Sequence, residues 1–306
     1  MNAIPDILQC LFNGLAQGSI YAIVALGFTI VFSSTQVVNF AQGEFVMLGA
    51  MGSYWLTSAH LPLYAAVPAA TLLAVAVGMA LGWVLMRPLQ HASTSGLIII
   101  TVGASMLLQG LASHFWGKDA VPVNAFSSGD PLIFTLPHFL SGSASPATLI
   151  CETQKLWVMG LAAAMMIALN FFFNRTMVGK AMRAVSVNRH GARLIGVNVS
   201  HMVIGAFALS AAMGAVAGAA IAPISCGYYN MGTMMGLKGF AAAIVGGLGN
   251  FPGSIIAGLF LGVLETFGAR YFSSDYKDAF AFIILLAVLF INPQGLSAFK
   301  RRKANG

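Results

Sequence analysis

Charged residues are scarce in this sequence, at 8% of its 306 residues, against about 25% in ordinary soluble domains. Hydrophobic residues make up 58%, and mean hydropathy is +0.84. A soluble protein of this composition would need a core far larger than 306 residues can enclose. The composition therefore argues against a soluble domain and predicts an integral membrane protein.

Several motifs are also absent, and each absence excludes a class of function. No GxxxxGK[ST] phosphate loop occurs, so ATP hydrolysis is not expected in this chain. There is no HExxH, GxSxG or acidic metal motif, and no basic groove interleaved with aromatic residues. We therefore predict no catalytic residue, no metal site, no cofactor bound by this chain and no nucleic-acid partner.

The three cysteines have no CxxC spacing and do not suggest a metal site. We expect Cys10 and Cys226 to pack as small apolar groups. Cys151 lies in a polar loop and is predicted to be a free thiol. A cleavable signal peptide is not expected, because the first Lys or Arg is Arg87.

Long apolar runs dominate what is present. About 20 residues at 1.5 Å rise cross a hydrocarbon core of about 30 Å, and nine apolar runs follow one another, some of them short. They predict an all-α integral membrane protein with one transmembrane domain over residues 1–306, a bundle of about eight to nine helices of which one or two are short or broken. Residues 116–155 form the one long polar loop. The runs are Leu8–Phe32, Asn39–Thr57, Leu63–Met86, Gly96–Phe115, Leu156–Phe173, Val203–Pro223, Gly236–Leu248, Pro252–Tyr271 and Ala279–Ile291.

The basic residues predict the orientation of the bundle, because cytoplasmic loops are enriched in Lys and Arg. Placing Arg87, the segment 174–200 with Arg175 and the tail Lys300–Lys303 in the cytoplasm collects ten of the fifteen basic residues there. The carboxyl terminus is then cytoplasmic and the loop 116–155 lies outside. Nine crossings place the amino terminus outside; eight, with either Gly236–Leu248 or the Asn39 segment re-entrant, place it inside.

Small residues recur at four-residue spacing in several of the runs. In lipid, such stripes allow helix backbones to approach closely. We therefore interpret them as helix-packing surfaces and not as ligand sites. The pairs are Gly14 and Gly18, Gly78 and Gly82, Gly214 and Gly218, Gly249 and Gly253, and Gly258 and Gly262.

A polar element, Val38-Asn39-Phe40-Ala41-Gln42-Gly43-Glu44, interrupts the apolar pattern between the first two runs. Asn39 is predicted to cap a helix start, with Gln42 returning the bond. Irregular backbone inside a membrane is tolerated where it lines protein or a wet cavity, and a buried acid costs about 2.5–3.5 kcal/mol on insertion scales. Two interpretations of Glu44 stay open: a pathway or gating role, and a structural or interfacial position.

The stretch Gly236–Ser254 is the second irregular element. Its glycines and Pro252 predict two short helices that meet at an Asn-Phe-Pro turn. We expect Lys238 to extend its ammonium to the membrane interface in preference to contacting substrate. Glu265 is predicted to pair within the bundle, with no partner identifiable from sequence.

The segment 174–200 is too polar to cross a membrane and contains five basic residues without a single acid. It is predicted to be an amphipathic helix whose apolar side includes Val185, Ala192, Leu194 and Ile195. Two interpretations follow: an interfacial segment that enforces topology, or an element that docks into another protein.

The pattern Gly179-x-Ala181-x-Arg183-Ala184, followed by Asn188, Ala192 and Gly196, resembles the cytoplasmic coupling segment of bacterial ABC importer permeases. The chain as a whole resembles the shorter permease subunit of branched-chain amino acid ABC transporters. The similarity includes the motif from Asn13 to Ala22, the Asn39–Glu44 element and the run Gly236–Glu265. Two positions depart from the family: Gln42, where His is usual, and Asn188, near a usual acidic residue.

The resemblance implies a function and a set of partners. The fold would be that of an ABC importer permease in the bacterial inner membrane, working by alternating access. Partners would be a second, longer permease subunit, two ATPase subunits that bind ATP and Mg²⁺, a periplasmic binding protein and the lipid membrane. Branched-chain amino acids would be the cargo, although relatives also carry urea, amides and aromatic acids. Pathway residues would be Asn39, Gln42 and Glu44, and coupling residues Gly179, Arg183, Ala184, Asn188, Ala192 and Gly196.

Two other transport mechanisms are the alternatives. A secondary transporter driven by an ion gradient should contain a relay of intramembrane ionisable groups. Only Glu44, Lys238 and Glu265 are candidates, and the sequence shows no chain between them. A passive channel would not require the coupling segment.

Overall fold

The computed structural model describes residues 3–86, 94–127, 130–136, 147–271 and 277–291. Within these ranges the chain forms eleven helices and one β-hairpin. Arg87 and the tail Lys300–Lys303, which support the predicted orientation, lie outside the described residues. The elements are α1 Ala3–Thr35, α2 Gln42–Ser58, α3 Leu63–Met86, α4 Thr94–Phe115, β1 Leu132–Leu136, β2 Ala147–Cys151, α5 Thr153–Arg175, α6 Met177–Val187, α7 Arg189–Leu194, α8 Val199–Ser225, α9 Met231–Gly246, α10 Phe251–Tyr271 and α11 Lys277–Ile291.

All nine predicted apolar runs fold as helices. Six of them are long and apolar enough to cross a membrane: α1, α3, α4, α5, α8 and α10. The other three, α2, α9 and α11, have 17, 16 and 15 residues. At 1.5 Å per residue they are about 22–26 Å long, shorter than the roughly 30 Å hydrocarbon core. One or two short helices were expected from sequence, and the structure has three.

Helix α1 is the centre of the bundle. With 33 residues it is about 50 Å long, and 83% of its most apolar 18-residue window is buried. Helices α8, α9 and α10 pack around it. In contrast, only 22% of the corresponding windows of α4 and α5 is buried. These two helices therefore form the outer surface of the bundle, with apolar side chains facing outwards.

Four of the five predicted glycine pairs are helix-packing surfaces; in the fifth, Gly249 lies in the turn between α9 and α10 with φ +87°. Helices α1 and α10 run antiparallel, and a β-carbon at Gly18 would lie 2.7 Å from the Leu259 Cα. One at Gly258 would lie 2.5 Å from the Ala22 Cα. Since real β-carbons do not approach backbone atoms so closely, only glycine permits this contact. The pair Gly214 and Gly218 similarly packs against α2, and Gly78 and Gly82 pack against α8.

The polar loop adds a small β-structure to the all-α bundle. Strands β1 and β2 pair antiparallel, with Leu132 opposite Cys151. Gln9 of α1 holds the hairpin, because its side chain donates to the Ile150 carbonyl and accepts from the Ile150 N–H. Cys10 is buried as predicted, whereas the same prediction for Cys226 was wrong, because Cys226 is exposed at the end of α8.

The bundle therefore has two distinct ends. The hairpin end contains the start of α1, the strands and the end of α10, where Arg270 contacts Asp6 at 3.2 Å. The basic end contains the end of α1, helices α6 and α7 and the start of α10. No Asp or Glu occurs in the sequence between Glu152 and Glu265, so the basic segment has no acidic neighbour in its own part of the chain.

Candidate functional site

The predicted cap at the start of α2 does not form. Helix α2 begins at Gln42, and the residue before it, Ala41, makes no side-chain cap. Instead, the Asn39 side chain accepts a hydrogen bond from the Ala41 N–H at 3.1 Å and stabilises the turn before the helix. The Asn39 Nδ2 atom is buried and has no hydrogen-bond partner among the described residues.

Gln42 turns into the protein interior and does not return a bond to Asn39. Its side-chain amide pairs with Ser210 of α8, donating to the Ser210 carbonyl at 3.2 Å and contacting the Ser210 hydroxyl. A β-carbon at Gly27 would lie 2.7 Å from the Gln42 Cδ, so α1 has room for the amide only because residue 27 is glycine. Gln42 thus ties α2 to α1 and α8.

Glu44 follows in the first turn of α2 and is 1% exposed. Its Oε1 accepts hydrogen bonds from the Ser105 hydroxyl at 2.9 Å and the Gln109 amide at 2.8 Å, both on α4. Its Oε2 accepts none from the residues described. Ser105 is the twelfth of the 22 residues of α4, about 16 Å from the start of that helix. Glu44 therefore lies near the middle of the bundle and not at its surface.

A cleft of about 280 Å³ opens beside Glu44, between α4 and α9. Its walls are largely apolar, and its polar groups are those of Glu44, Ser105, Gln109 and Thr233. The Gln109 amide also contacts the Thr233 hydroxyl at 2.8 Å, so one side chain joins α4, α2 and α9. Asn39 and Gln42 do not line this cleft, and their predicted pathway role stays a prediction.

The partners of Glu44 were missed from sequence, although a pattern indicates them. Thr101, Ser105 and Gln109 recur every four residues in an otherwise apolar helix, and residues at this spacing share one helix face. The structure uses all three positions, since the Thr101 hydroxyl accepts from the Phe40 N–H at 3.3 Å. This polar face of α4 therefore binds both the turn before α2 and Glu44 in the first turn of α2.

The prediction that Lys238 reaches the membrane interface was wrong. Lys238 is 4% exposed, and its Nζ contacts Glu265 at 2.8 Å and Asp278 at 2.6 Å. The Tyr21 hydroxyl lies 3.1 Å from Nζ and donates to Glu265 at 2.7 Å. The unidentified partner of Glu265 is thus Lys238, and the buried cluster connects α1, α9, α10 and α11.

This cluster is separate from Glu44. Gly232 and Gly236 of α9 approach Gly43 and Glu44. Lys238 is two residues beyond Gly236, a rotation of about 200° around the helix. The ammonium and the Glu44 carboxylate therefore lie on opposite sides of α9, and they do not form the relay that a secondary transporter would need.

The basic segment 174–200 folds as two short helices and not as one. Thr176 caps α6 by accepting from the Gly179 N–H at 3.0 Å, and Asn188 caps α7 by accepting from the Gly191 N–H at 2.9 Å. The cap at Asn188 begins a new helix, so the chain changes direction in the middle of the segment. Gly196, with φ +84°, follows the end of α7.

The six predicted coupling residues divide into buried and exposed groups. Gly179 is buried against α5, where a β-carbon would lie 2.7 Å from the Phe173 Cα. Ala192 is 3% exposed, and Ala184 is half-buried. Three positions are exposed: Arg183, Asn188 and Gly196. Gly179 and Ala192 thus shape the segment, whereas the other three lie on its surface.

Exposed apolar side chains stand on the outer surface of this segment. Val187, Leu194 and Ile195 are 83%, 77% and 75% exposed. Leu194 and Ile195 were predicted on the same side as Val185 and Ala192, which are buried; the break at Asn188 and the end of α7 separate the two sets. Because large apolar side chains exposed on a polar segment are typical of a binding surface, we name these three residues the apolar patch.

Arg189 connects this segment to the central helix. Its guanidinium donates to the Ser34 carbonyl at the end of α1, at 2.7 Å. Burial, and secondarily the charge of Arg193, lower the pKa of the Arg189 guanidinium, which nevertheless remains protonated at neutral pH. A cation at the end of a helix is stabilised by the helix dipole, so α7 is attached to α1 directly.

The sequence of this chain is similar to those of known transport proteins. The family described as "Branched-chain amino acid transport system / permease component" matches residues 10–289. The chain is 33% identical over 300 residues to the high-affinity branched-chain amino acid transport system permease protein LivH of Salmonella typhimurium, covering 94% of each chain. It is 27% identical over 291 residues to the ribose import permease protein RbsC of Escherichia coli, covering 92% of this chain and 85% of that one.

Among solved structures, PsaBC from Streptococcus pneumoniae in complex with Fab is similar at a TM-score of 0.48 and 17% identity, covering 92% of this chain and 91% of that one. Six membrane-length helices and permease relatives together show a multi-pass membrane protein. The family match over residues 10–289 and a relative that is one-third identical over almost the whole chain show the family. The chain belongs to the permease components of branched-chain amino acid transport systems.

Proposed function

We propose that this protein is a membrane permease subunit of an ABC importer and that its cargo is a branched-chain amino acid. The observation that carries the proposal is the patch of Val187, Leu194 and Ile195 on two capped helices at the basic end. The patch is apolar and exposed, and its segment 174–200 contains five cations and no acid. A separate ATPase subunit, to which the missing phosphate loop would belong, is the partner that fits this surface.

The basic end faces the cytoplasm in this proposal. The five cations from Arg175 to Arg193 support that orientation through the enrichment of Lys and Arg in cytoplasmic loops. The hairpin end then faces the periplasm, where a substrate-binding protein would dock, and the carboxyl terminus is cytoplasmic. The membrane would be the bacterial inner membrane.

The cleft beside Glu44 is the proposed position of the cargo. A branched-chain amino acid has an ammonium group and an aliphatic side chain, and the cleft combines one carboxylate with apolar walls formed by Phe28, Phe40, Val102 and Phe240. The free Oε2 of Glu44 is the acceptor for the ammonium. Because Glu44 is 1% exposed, access to it requires α4 to move away from α2.

The structure suggests how force at the basic end would reach this cleft. Helix α7 is attached through Arg189 to the end of α1, and residues 36–41 lead from there to α2. Displacement of α6 and α7 by an ATPase would shift that connection and the position of Glu44. The two hydrogen bonds from α4 to Glu44 would break as the cleft opens, which is one half of alternating access.

The proposed importer needs further subunits, because this chain would supply only part of the pathway and no ATPase. A second, longer permease subunit would complete the pathway beside α4, since only 22% of the apolar window of that helix is buried. Two ATPase subunits would bind ATP and Mg²⁺. Since the RbsC relative is named for ribose import, this fold accommodates different cargoes, and the binding protein would supply much of the selectivity.

Charge placed in the apolar patch tests the proposal. We expect Leu194→Asp and Ile195→Asp to abolish copurification of the ATPase subunits with the permease, because burying an unpaired carboxylate in an interface is costly. Ile133→Asp, on the hairpin at the other end and 63% exposed, is the matched control and should leave copurification intact. Normal ATPase binding by the Leu194 and Ile195 variants would contradict the docking role.

A further inference from the structure

A groove lies at the basic end between α5 and α10, beneath α6. It consists of two adjoining cavities of about 340 Å³ and about 250 Å³, which share Phe173, Arg183, Phe251 and Pro252 as lining residues. It is distinct from the cleft beside Glu44, which lies between α4 and α9. Neither the family nor the proposed transport mechanism assigns it a ligand.

The groove has an apolar wall and a polar end. Leu26, Met166, Leu169 and Ile255 line the part that extends into the bundle. Asn170, Asn174 and Arg183 stand at its polar end. The groove changes from apolar to polar along its length, and a phospholipid changes in the same way from its acyl chains to its headgroup.

The polar end is arranged to donate hydrogen bonds. Arg183 donates to the Asn174 Oδ1 at 3.1 Å, and the Asn174 Nδ2 donates to the Asn170 Oδ1 at 2.6 Å. Both amide oxygens are therefore occupied, whereas a guanidinium has five N–H donors and uses one of them here. In this chain of hydrogen bonds, the remaining N–H donors and the positive charge of Arg183 are available to an anion.

Among the residues that the structure describes, no acidic side chain lines either cavity. Arg183 has Lys180 and Arg175 near it in sequence and no Asp or Glu within the segment. The groove thus has a positive charge that is not neutralised by the described residues around it. Basic pockets between transmembrane helices on the cytoplasmic side bind anionic lipid headgroups.

The groove reaches the outside of the bundle at its polar end. Asn170, Asn174 and Arg183 are exposed there, whereas Leu169 and Phe173, deeper along the groove, are 6% and 5% exposed. The candidate membrane span of α5 ends at Arg175. The polar end of the groove is therefore at headgroup height.

We propose that this groove binds an anionic phospholipid, with its phosphate on Arg183 and the Asn170 amide and one acyl chain along Leu169 and Phe173. The proposal gives Arg183 a lipid contact in place of the docking contact expected from the sequence pattern. It does not depend on which cargo is transported.

Lipid titration of the purified full-length chain in detergent, followed by native mass spectrometry, tests this site. We expect phosphatidylglycerol to bind and phosphatidylcholine to bind much more weakly. Arg183→Gln should lower phosphatidylglycerol affinity about tenfold, the effect of one hydrogen bond to a charged group. Asn170→Trp, which fills the groove and changes no charge, should lower it similarly. Arg193→Gln removes the same charge from α7, away from the groove, and should bind like the parent.

Several outcomes would overturn the proposal. One is an equal loss in Arg183→Gln and Arg193→Gln, which would indicate diffuse surface charge. Another is undiminished binding by Asn170→Trp with a normal melting temperature. Competition by inorganic phosphate as strong as by the lipid would show a simple anion site, and absence of phosphatidylglycerol binding in the assembled transporter would show that a partner subunit covers the groove. Asn170→Trp keeps the test decisive if Arg183→Gln does not fold.

Discussion

Replacing Glu44 by glutamine separates the charge of this residue from its structural contacts. Glutamine keeps a carbonyl oxygen that can accept from Ser105 and Gln109. Hydrogen bonds to charged groups contribute about 1.5–3 kcal/mol and neutral ones about 0.5–1.5 kcal/mol, so two weakened bonds cost about 2–3 kcal/mol. Removing a carboxylate from mid-membrane recovers about 2.5–3.5 kcal/mol. The two effects nearly cancel, and we expect a free energy of unfolding within about 1 kcal/mol of the parent.

Transport should respond very differently. If the Glu44 carboxylate contacts the ammonium of the cargo, its loss removes one charge-assisted hydrogen bond, about 1.5–3 kcal/mol. That corresponds to a decrease of about 10- to 150-fold in transport rate at low substrate concentration. The assay is uptake of radiolabelled leucine by the reconstituted transporter, with thermal unfolding measured on the same preparation.

The control is Ser113→Ala, which removes another α4 hydroxyl; within the described part of the chain it donates to the Gly110 carbonyl of its own helix and to no other group. It should change neither stability nor uptake. Parent-level uptake by a stable Glu44→Gln protein would remove Glu44 from the pathway. A parallel fall of stability and uptake would instead show that Glu44 holds α4 in place and has no contact with cargo.

Three further substitutions test the helix packing and the basic segment 174–200. Lys238→Met leaves the carboxylates of Glu265 and Asp278 without their cation. It should lower the free energy of unfolding by about 3–5 kcal/mol, measured by denaturant unfolding in detergent. Parent-level stability would contradict the buried cluster. Gly262→Leu places a side chain against the α1 backbone and should lower the free energy of unfolding by about 1–3 kcal/mol. The control is Gly103→Leu, which should leave stability unchanged because a β-carbon there meets nothing within 4 Å. Equal melting temperatures of the two variants would refute the close packing. Asn188→Ala removes the α7 cap and should destabilise that helix by about 1 kcal/mol, seen as faster hydrogen exchange in α7 without a change in α5.

Much of the bundle could be predicted from sequence because its determinants are local. Apolar runs of membrane length and glycines at four-residue spacing predicted the helices and the surfaces by which they pack. The glycine pairs that begin at Gly14 and Gly258 could be recognised as packing surfaces from helical periodicity alone.

What sequence reasoning missed depends on contacts between distant parts of the chain. Lys238 was expected at the interface because a lone lysine in an apolar helix usually reaches water. Its pairing with Glu265 and Asp278 requires three helices to meet, which no local pattern specifies. Likewise, Asn39 and Gln42 have the spacing of a capping box, but Ser210 and Gly27 offer the Gln42 amide better partners than the helix start does.

The central claim is that this chain transports only when another polypeptide moves its basic segment. Leucine accumulation in proteoliposomes tests it most directly, with the permease subunits reconstituted with and without their ATPase and binding-protein partners. The account predicts uphill accumulation only with the ATPase subunits and ATP present. Accumulation against a gradient by the permease subunits alone would contradict it.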